Sequence, residues 1–119
     1  MEGTKIFEFA INEVPKQIRY LLSKKHLNIN DVDYYIMHQA NKFLIDSIIK
    51  KTNIPMTKNL ISIDKFGNTN SASIPVTISN NKKKLKNAKI LISGFGVGYS
   101  WASALINLKS IKITNFIKK

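Results

Sequence analysis

The chain has 119 residues, 44% of them hydrophobic, which suffices for one domain with its own core. Its net charge is +12, yet Arg19 is the only arginine among 19 basic residues. Cysteine is absent, which excludes a disulfide framework, thiolate metal sites and a cysteine nucleophile within these residues.

No apolar run reaches the roughly 20 residues that cross a bilayer. The opening MEGTKIFEFA lacks the basic-then-apolar pattern of a signal peptide, so a cytoplasmic location is expected. Arginine is the usual bidentate reader of bases and phosphates, so an excess made of lysine argues against specific nucleic-acid recognition. The excess, including the run at Lys82, Lys83, Lys84 and Lys86, reads as solvated surface on an Ile/Asn/Lys-biased composition. Attraction of an acidic partner is the alternative.

Phe7, Ala10, Ile11, Val14, Ile18 and Leu21 recur at a 3.6-residue period and predict a first helix. Pro15 lacks the N–H that would reach the Ile11 carbonyl, so a kink or break is expected there. Lys24 and Lys25 suit a helix C-terminus, and His26 reads as a cap or surface residue. Residues 32–37 read as a short buried strand. Residues 40–52 follow as a helix with Leu44, Ile45, Ile48 and Ile49 on its apolar face. Residues 60–63 form a short β-type run, closed by the turn signal Phe66-Gly67-Asn68. A third helix is predicted over 71–79, with Pro75 tolerated in its first turn. A strand over 89–93, a glycine-rich turn and a last strand over 101–108 complete the order α-β-α-β-α-β-β. That order predicts an α/β fold, a layered mixed sheet with helices that ends in an antiparallel hairpin. Residues 1–108 form one unit and 109–119 a basic tail.

Ligands of layered α/β sheets gather at the C-terminal ends of strands. Three such ends hold unusual residues: His38-Gln39-Ala40-Asn41, Gly67-Asn68-Thr69 and Gly94-Phe95-Gly96-Val97-Gly98. Each alone has a plain reading. A single histidine after an apolar strand is more often structural, and Gly-Asn makes turns because both residues accept positive φ. The glycine loop is no dinucleotide fingerprint, since Tyr99 stands where its third glycine belongs, and no Gly-Lys-Ser/Thr follows.

In combination and in this order, the motifs resemble the C-terminal half of β-ketoacyl-acyl-carrier-protein synthase III, a thiolase-fold condensing enzyme. The resemblance runs over 1–108, through Met1-Glu2-Gly3, a Pro-containing helix, HQAN, IDxxGNT, ASIP, GFGxG and SWASAL. It implies decarboxylative condensation of acyl-CoA with malonyl-acyl-carrier protein in fatty acid biosynthesis, by a Cys-His-Asn set. His38 and Asn68 take the histidine and asparagine places, as donors to the enolate oxygen left when carbon dioxide departs. The cysteine belongs to the family's N-terminal half, so the isolated chain is expected to be inactive without that half. Gly3, Ala40, Asn41 and Phe95 match positions along the CoA–pantetheine passage. Val97 departs from a commoner glycine in a loop whose backbone N–H serves the oxyanion. Lys42, Phe43, Lys50 and Lys51 fall on the helix that docks the carrier protein, with Phe43 at an often basic position. The family is homodimeric and needs no cofactor or metal; CoA and carrier-protein thioesters are its substrates. One further family strand precedes Met1 and is expected at the centre of the sheet, where its absence would leave ladder groups exposed. The competing readings are a non-catalytic module that binds carrier protein or CoA, or a decayed fragment.

Overall fold

The computed structural model describes residues 3–39, 41–67, 73–96 and 100–109. Ala10, Val14, Ile18 and Leu22, spaced four apart, lie fully or almost fully buried along one side of α1 (Gly3–Lys24). Pro15 sits inside this helix and does not end it. A proline in a helix interior costs about 3 kcal/mol, whereas burying one Val, Leu or Ile side chain contributes about 1.5–3 kcal/mol. The stripe outweighs the lost bond. At the C-terminus His26 adopts φ 56°, and the Leu27 N–H reaches the Leu22 carbonyl at 2.9 Å. His26 is thus the left-handed residue of a Schellman cap.

A short strand, β1 (Tyr34–Met37), precedes α2 (Lys42–Thr52), which closes on Asn53 at φ 61° in the same way. Then come β2 (Asn59–Leu60), α3 (Ile63–Phe66), α4 (Ser73–Asn80), α5 (Lys82–Leu85), β3 (Lys89–Gly96) and β4 (Ser100–Asn107). Pro75 falls in the first turn of α4, where its missing N–H costs nothing. The β-type run expected over 60–63 stops at Leu60, because the next free N–H groups, of Ser62 and Ile63, bond to the Gln39 side chain. The glycine-rich segment expected as a turn from Gly94 is strand as far as Gly96. Gly94, Phe95 and Gly96 pair with Ala102, Trp101 and Ser100, and that ladder satisfies their backbone.

The sheet order is β2-β1-β3-β4, with β1 parallel to both neighbours and β4 antiparallel to β3. Asp33 and Lys89 exchange both backbone and side-chain bonds at 2.8 Å, which sets the β1–β3 register where the strands begin. The expectation of a missing central strand is therefore corrected. Tyr34 through Met37 pair directly with Ile90 through Ser93, so no slot is open inside the sheet and a further strand could join only at an edge.

Alternation along β1 and β3 sorts residues to two faces. Tyr35, Met37 and Leu91 meet α1 and α2, while Ile36, Ile90 and Ile92 meet the side of Ile74, Ile78 and Leu85 on α4 and α5. Tyr35 is fully buried and donates its hydroxyl to the Ile29 carbonyl at 2.8 Å. Burial, helped by the Asp31 charge, pushes its pKa up to about 12, so it serves as a neutral donor.

Candidate functional site at the strand ends

His38 follows the last residue of β1, and its backbone N–H donates to the Ser93 carbonyl at 2.8 Å, extending the β1–β3 ladder by one step. A rigid ladder thus sets the position of the imidazole. The ring is half-buried, and burial pushes its pKa below the ordinary value for histidine. Burial therefore favours the neutral ring. Its Nδ1 lies 2.8 Å from the Oγ of Ser73, the first residue of α4, and that oxygen also accepts the Gln39 N–H at 3.2 Å.

Gln39 is fully buried and uses its side-chain amide in both directions. Its Nε2 donates to the Met37 carbonyl at 2.6 Å, and its Oε1 accepts from Ser62 N at 2.8 Å and Ile63 N at 3.1 Å. The His38 strand end is thereby tied to the start of α3. That helix ends at Gly67, whose N–H reaches the Ile63 carbonyl at 2.9 Å. Gly67 has φ 66° and ψ −163°, a region only glycine enters readily, although a Cβ there would meet nothing within 4 Å. Backbone conformation, not space, requires glycine directly before Asn68.

Hydroxyl groups complete the frame. Thr77 Oγ1 donates to the Ser73 carbonyl at 2.7 Å, so the 2.7 Å contact between Ser62 Oγ and Thr77 Oγ1 has Ser62 as its donor. Ser103 Oγ lies 2.6 Å from Gln17 Oε1 and 2.9 Å from Ser93 Oγ. Its one proton goes to the amide oxygen, and Ser93 donates to it in turn.

Of the other expected site residues, Ala40 and Asn68 lie outside the described residues, as do Val97 and the Phe95 side chain. The Phe95 backbone stands opposite Trp101 in the hairpin, and Gly3 opens α1. Asn41 is the N-cap of α2, its Oδ1 accepting Leu44 N at 2.7 Å, which leaves its amide nitrogen as the group able to meet a ligand. Lys42 pairs with Asp46 at 2.8 Å in the first turn of α2. Lys50 and Lys51 lie in the last turn, about 12 Å further along the axis. Lys51 donates to Asn12 Oδ1 at 2.9 Å, and Lys50 is exposed. Phe43 is 71% exposed yet stacks on Phe7 of α1, with ring centroids 5.4 Å apart.

Sequence reasoning passed over Ser62, Ser73 and Thr77. A signal was present: Ser73 and Thr77 are polar residues four apart that share one face of α4. Among the described residues no group of three or more metal-ligating side chains gathers, and no helix is long and apolar enough to cross a membrane.

This architecture is the C-terminal half of a thiolase-like condensing-enzyme fold. It superposes with a TM-score of 0.90 on a 3-oxoacyl-(acyl-carrier protein) synthase from Burkholderia xenovorans LB400, at 36% identity over 97% of this chain and 34% of that one. The corresponding synthase III from Aquifex aeolicus VF5 gives a TM-score of 0.85 at 34% identity, over 90% of this chain and 36% of that one. Residues 22–108 match the family described as 3-oxoacyl-[acyl-carrier-protein (ACP)] synthase III C terminal, and the chain belongs to that family. It is 41% identical over 113 residues to the beta-ketoacyl-[acyl-carrier-protein] synthase III of Lactococcus lactis subsp. lactis, covering 91% of this chain and 35% of that relative. The chain thus spans about a third of the length of the relatives it matches.

Proposed function

We propose that the chain is the C-terminal part of a cytoplasmic 3-oxoacyl-[acyl-carrier-protein] synthase III, which condenses acyl-CoA with malonyl-acyl-carrier protein in fatty acid biosynthesis. The observation that carries this reading is His38, anchored by the β1–β3 ladder at the end of β1 inside the family-matched segment.

In this reading a cysteine thiolate from the N-terminal part takes the acyl group and releases CoA. The malonyl thioester then loses carbon dioxide, and the electrons of the broken C–C bond move into a thioester enolate. Neutral N–H donors on His38 and Asn68 meet the enolate oxygen, whose charge appears only as the bond breaks, so they stabilise the transition state above the ground state. The enolate carbon attacks the acyl-cysteine carbonyl, the thiolate leaves, and the 3-oxoacyl group stays on the carrier protein. Gly3, Ala40, Asn41 and Phe95 border the pantetheine passage, and the Val97 N–H serves the oxyanion. Lys42, Phe43, Lys50 and Lys51 meet the carrier protein, and the completed enzyme is a homodimer.

The test measures carbon dioxide release from malonyl-carrier protein. With no cysteine to hold an acyl group, the 119-residue chain alone should show no condensation. A complex with a cysteine-bearing N-terminal part of a synthase III should turn over, and His38→Ala should slow that turnover by about 10²–10³. Turnover indifferent to His38 would overturn the assignment.

A further inference from the structure

We infer that Ser73 is the positioning residue of His38, its hydroxyl donating to Nδ1 and so leaving the ring proton on Nε2. Serine has one proton and two lone pairs to place. One lone pair is taken by the Gln39 N–H at 3.2 Å, a group that can only donate. Among the described residues, His38 Nδ1 at 2.8 Å is the acceptor within reach of the Ser73 proton. Placing the ring proton on Nδ1 instead would give Ser73 Oγ two donors and leave its own proton without an acceptor among the described residues, at a residue only 1% exposed. Stranding a buried donor disfavours that tautomer by about ten-fold or more.

The hydroxyl is itself held in place. The Ser73 carbonyl accepts Thr77 Oγ1 at 2.7 Å, Thr77 accepts Ser62 Oγ at 2.7 Å, and Ser62 N donates to Gln39 at 2.8 Å. A loop of bonds therefore runs from the strand end through α3 and α4 and back to the imidazole. The seat of α4 decides which nitrogen of His38 is a donor. A role as enolate donor needs the proton on Nε2, because Nδ1 faces the serine. The inference deepens the proposed function in that respect alone, since the tautomer is readable without substrate, nucleophile or partner.

The test is nitrogen-15 NMR of the histidine rings in the full chain near pH 8. Exposed His26 supplies the internal reference for an imidazole averaging between tautomers. His38 should show one unprotonated nitrogen, Nδ1, and one protonated nitrogen, Nε2. Ser73→Thr, which retains a γ-hydroxyl, should preserve that pattern, and Ser73→Ala should move both nitrogens toward the averaged values of His26. If Ser73→Ala does not fold, Ser73→Val serves as the hydroxyl-free isostere of the threonine variant. A wild-type His38 protonated on Nδ1, or averaging like His26, overturns the inference. So does an unchanged single tautomer in the folded alanine or valine variant. Loss of condensing activity in a completed enzyme with the tautomer as described would count against the proposed function and leave the role of Ser73 standing.

Discussion

The α1–α2 layer and the α4–α5 layer cover opposite faces of one sheet with different chemistry. α1 and α2 bury Ala10, Val14, Ile18, Leu44, Ile45, Ile48 and Ile49 against Tyr35, Met37 and Leu91. On the other face α5 buries Leu85 beside Ile36 and Ile90, but the buried residues of α4 are Ser73 and Thr77, while its Ile74 and Ile78 remain half-buried. Apolar burial is non-directional and scales with area, so the first layer supplies stability. Hydrogen bonds are directional, so the second layer supplies alignment. The histidine sits between them, on a strand whose place the first layer secures and beside a hydroxyl that the second layer provides.

The largest effect expected from breaking this division is on rate. In a completed enzyme His38→Ala or Asn68→Ala should slow malonyl decarboxylation by about 10²–10³. Acylation of the cysteine should suffer less, because the pair is assigned to the enolate. Mass spectrometry of the acyl-enzyme separates the steps, and equal losses in both would undo the assignment.

Stability should divide the other way. Ile48→Ala, from a fully buried position on α2, should cost about 2–5 kcal/mol in urea unfolding. Ile78→Ala, from the half-buried face of α4, should cost less than about 2 kcal/mol. Equal costs would erase the distinction between the layers.

A smaller effect concerns pH. Burial holds the His38 pKa below its unfolded value, so the unfolded chain binds more protons between the two. The stability from keeping His38 neutral is fully present above the ordinary histidine pKa of about 6.5. It is lost as pH falls from there through the lower folded value. Unfolding midpoints measured across that window should drop in the wild type, and His38→Gln should flatten the drop. An unchanged slope in the variant would place the acid sensitivity elsewhere.

The smallest effect is expected at the surface of α2. Lys50→Glu with Lys51→Glu should weaken carrier-protein binding at low salt and matter little at high salt, because exposed charges mainly speed encounter. Phe43→Ala should weaken binding at both salt concentrations, with part of the loss arising from the Phe7 stack it abolishes. Titration calorimetry at two ionic strengths separates these outcomes. Unchanged low-salt affinity in the double lysine variant would remove this face from the docking surface.

Local chemistry made much of the molecule legible from residues alone. The four-residue apolar spacing of Ala10, Val14 and Ile18 specified a helix, the apolar run into Met37 specified a buried strand, and HQAN marked the segment that follows that strand, whereas Gly67 follows the short helix α3 and not a strand. Each of these signals lies within a few consecutive residues. Others were misread because the deciding partner is distant in sequence. The break allowed at Pro15 does not occur, because the stripe around it packs on α2 and the sheet, and Gly94 to Gly96 remain strand because β4 pairs with them. Ser73 reads as an ordinary helix-start serine until the fold brings it to His38, 35 residues away. The sequence by itself determined the three longer helices, the main strands and which side chains can do chemistry, since propensity, periodicity and donor type are properties of short segments. The one-turn helices α3 and α5 carry too few residues for a periodic signal. Only the tertiary structure decided the strand order, the direct β1–β3 contact and the partner of the imidazole. Those depend on which distant backbone and side-chain groups satisfy one another once water is excluded.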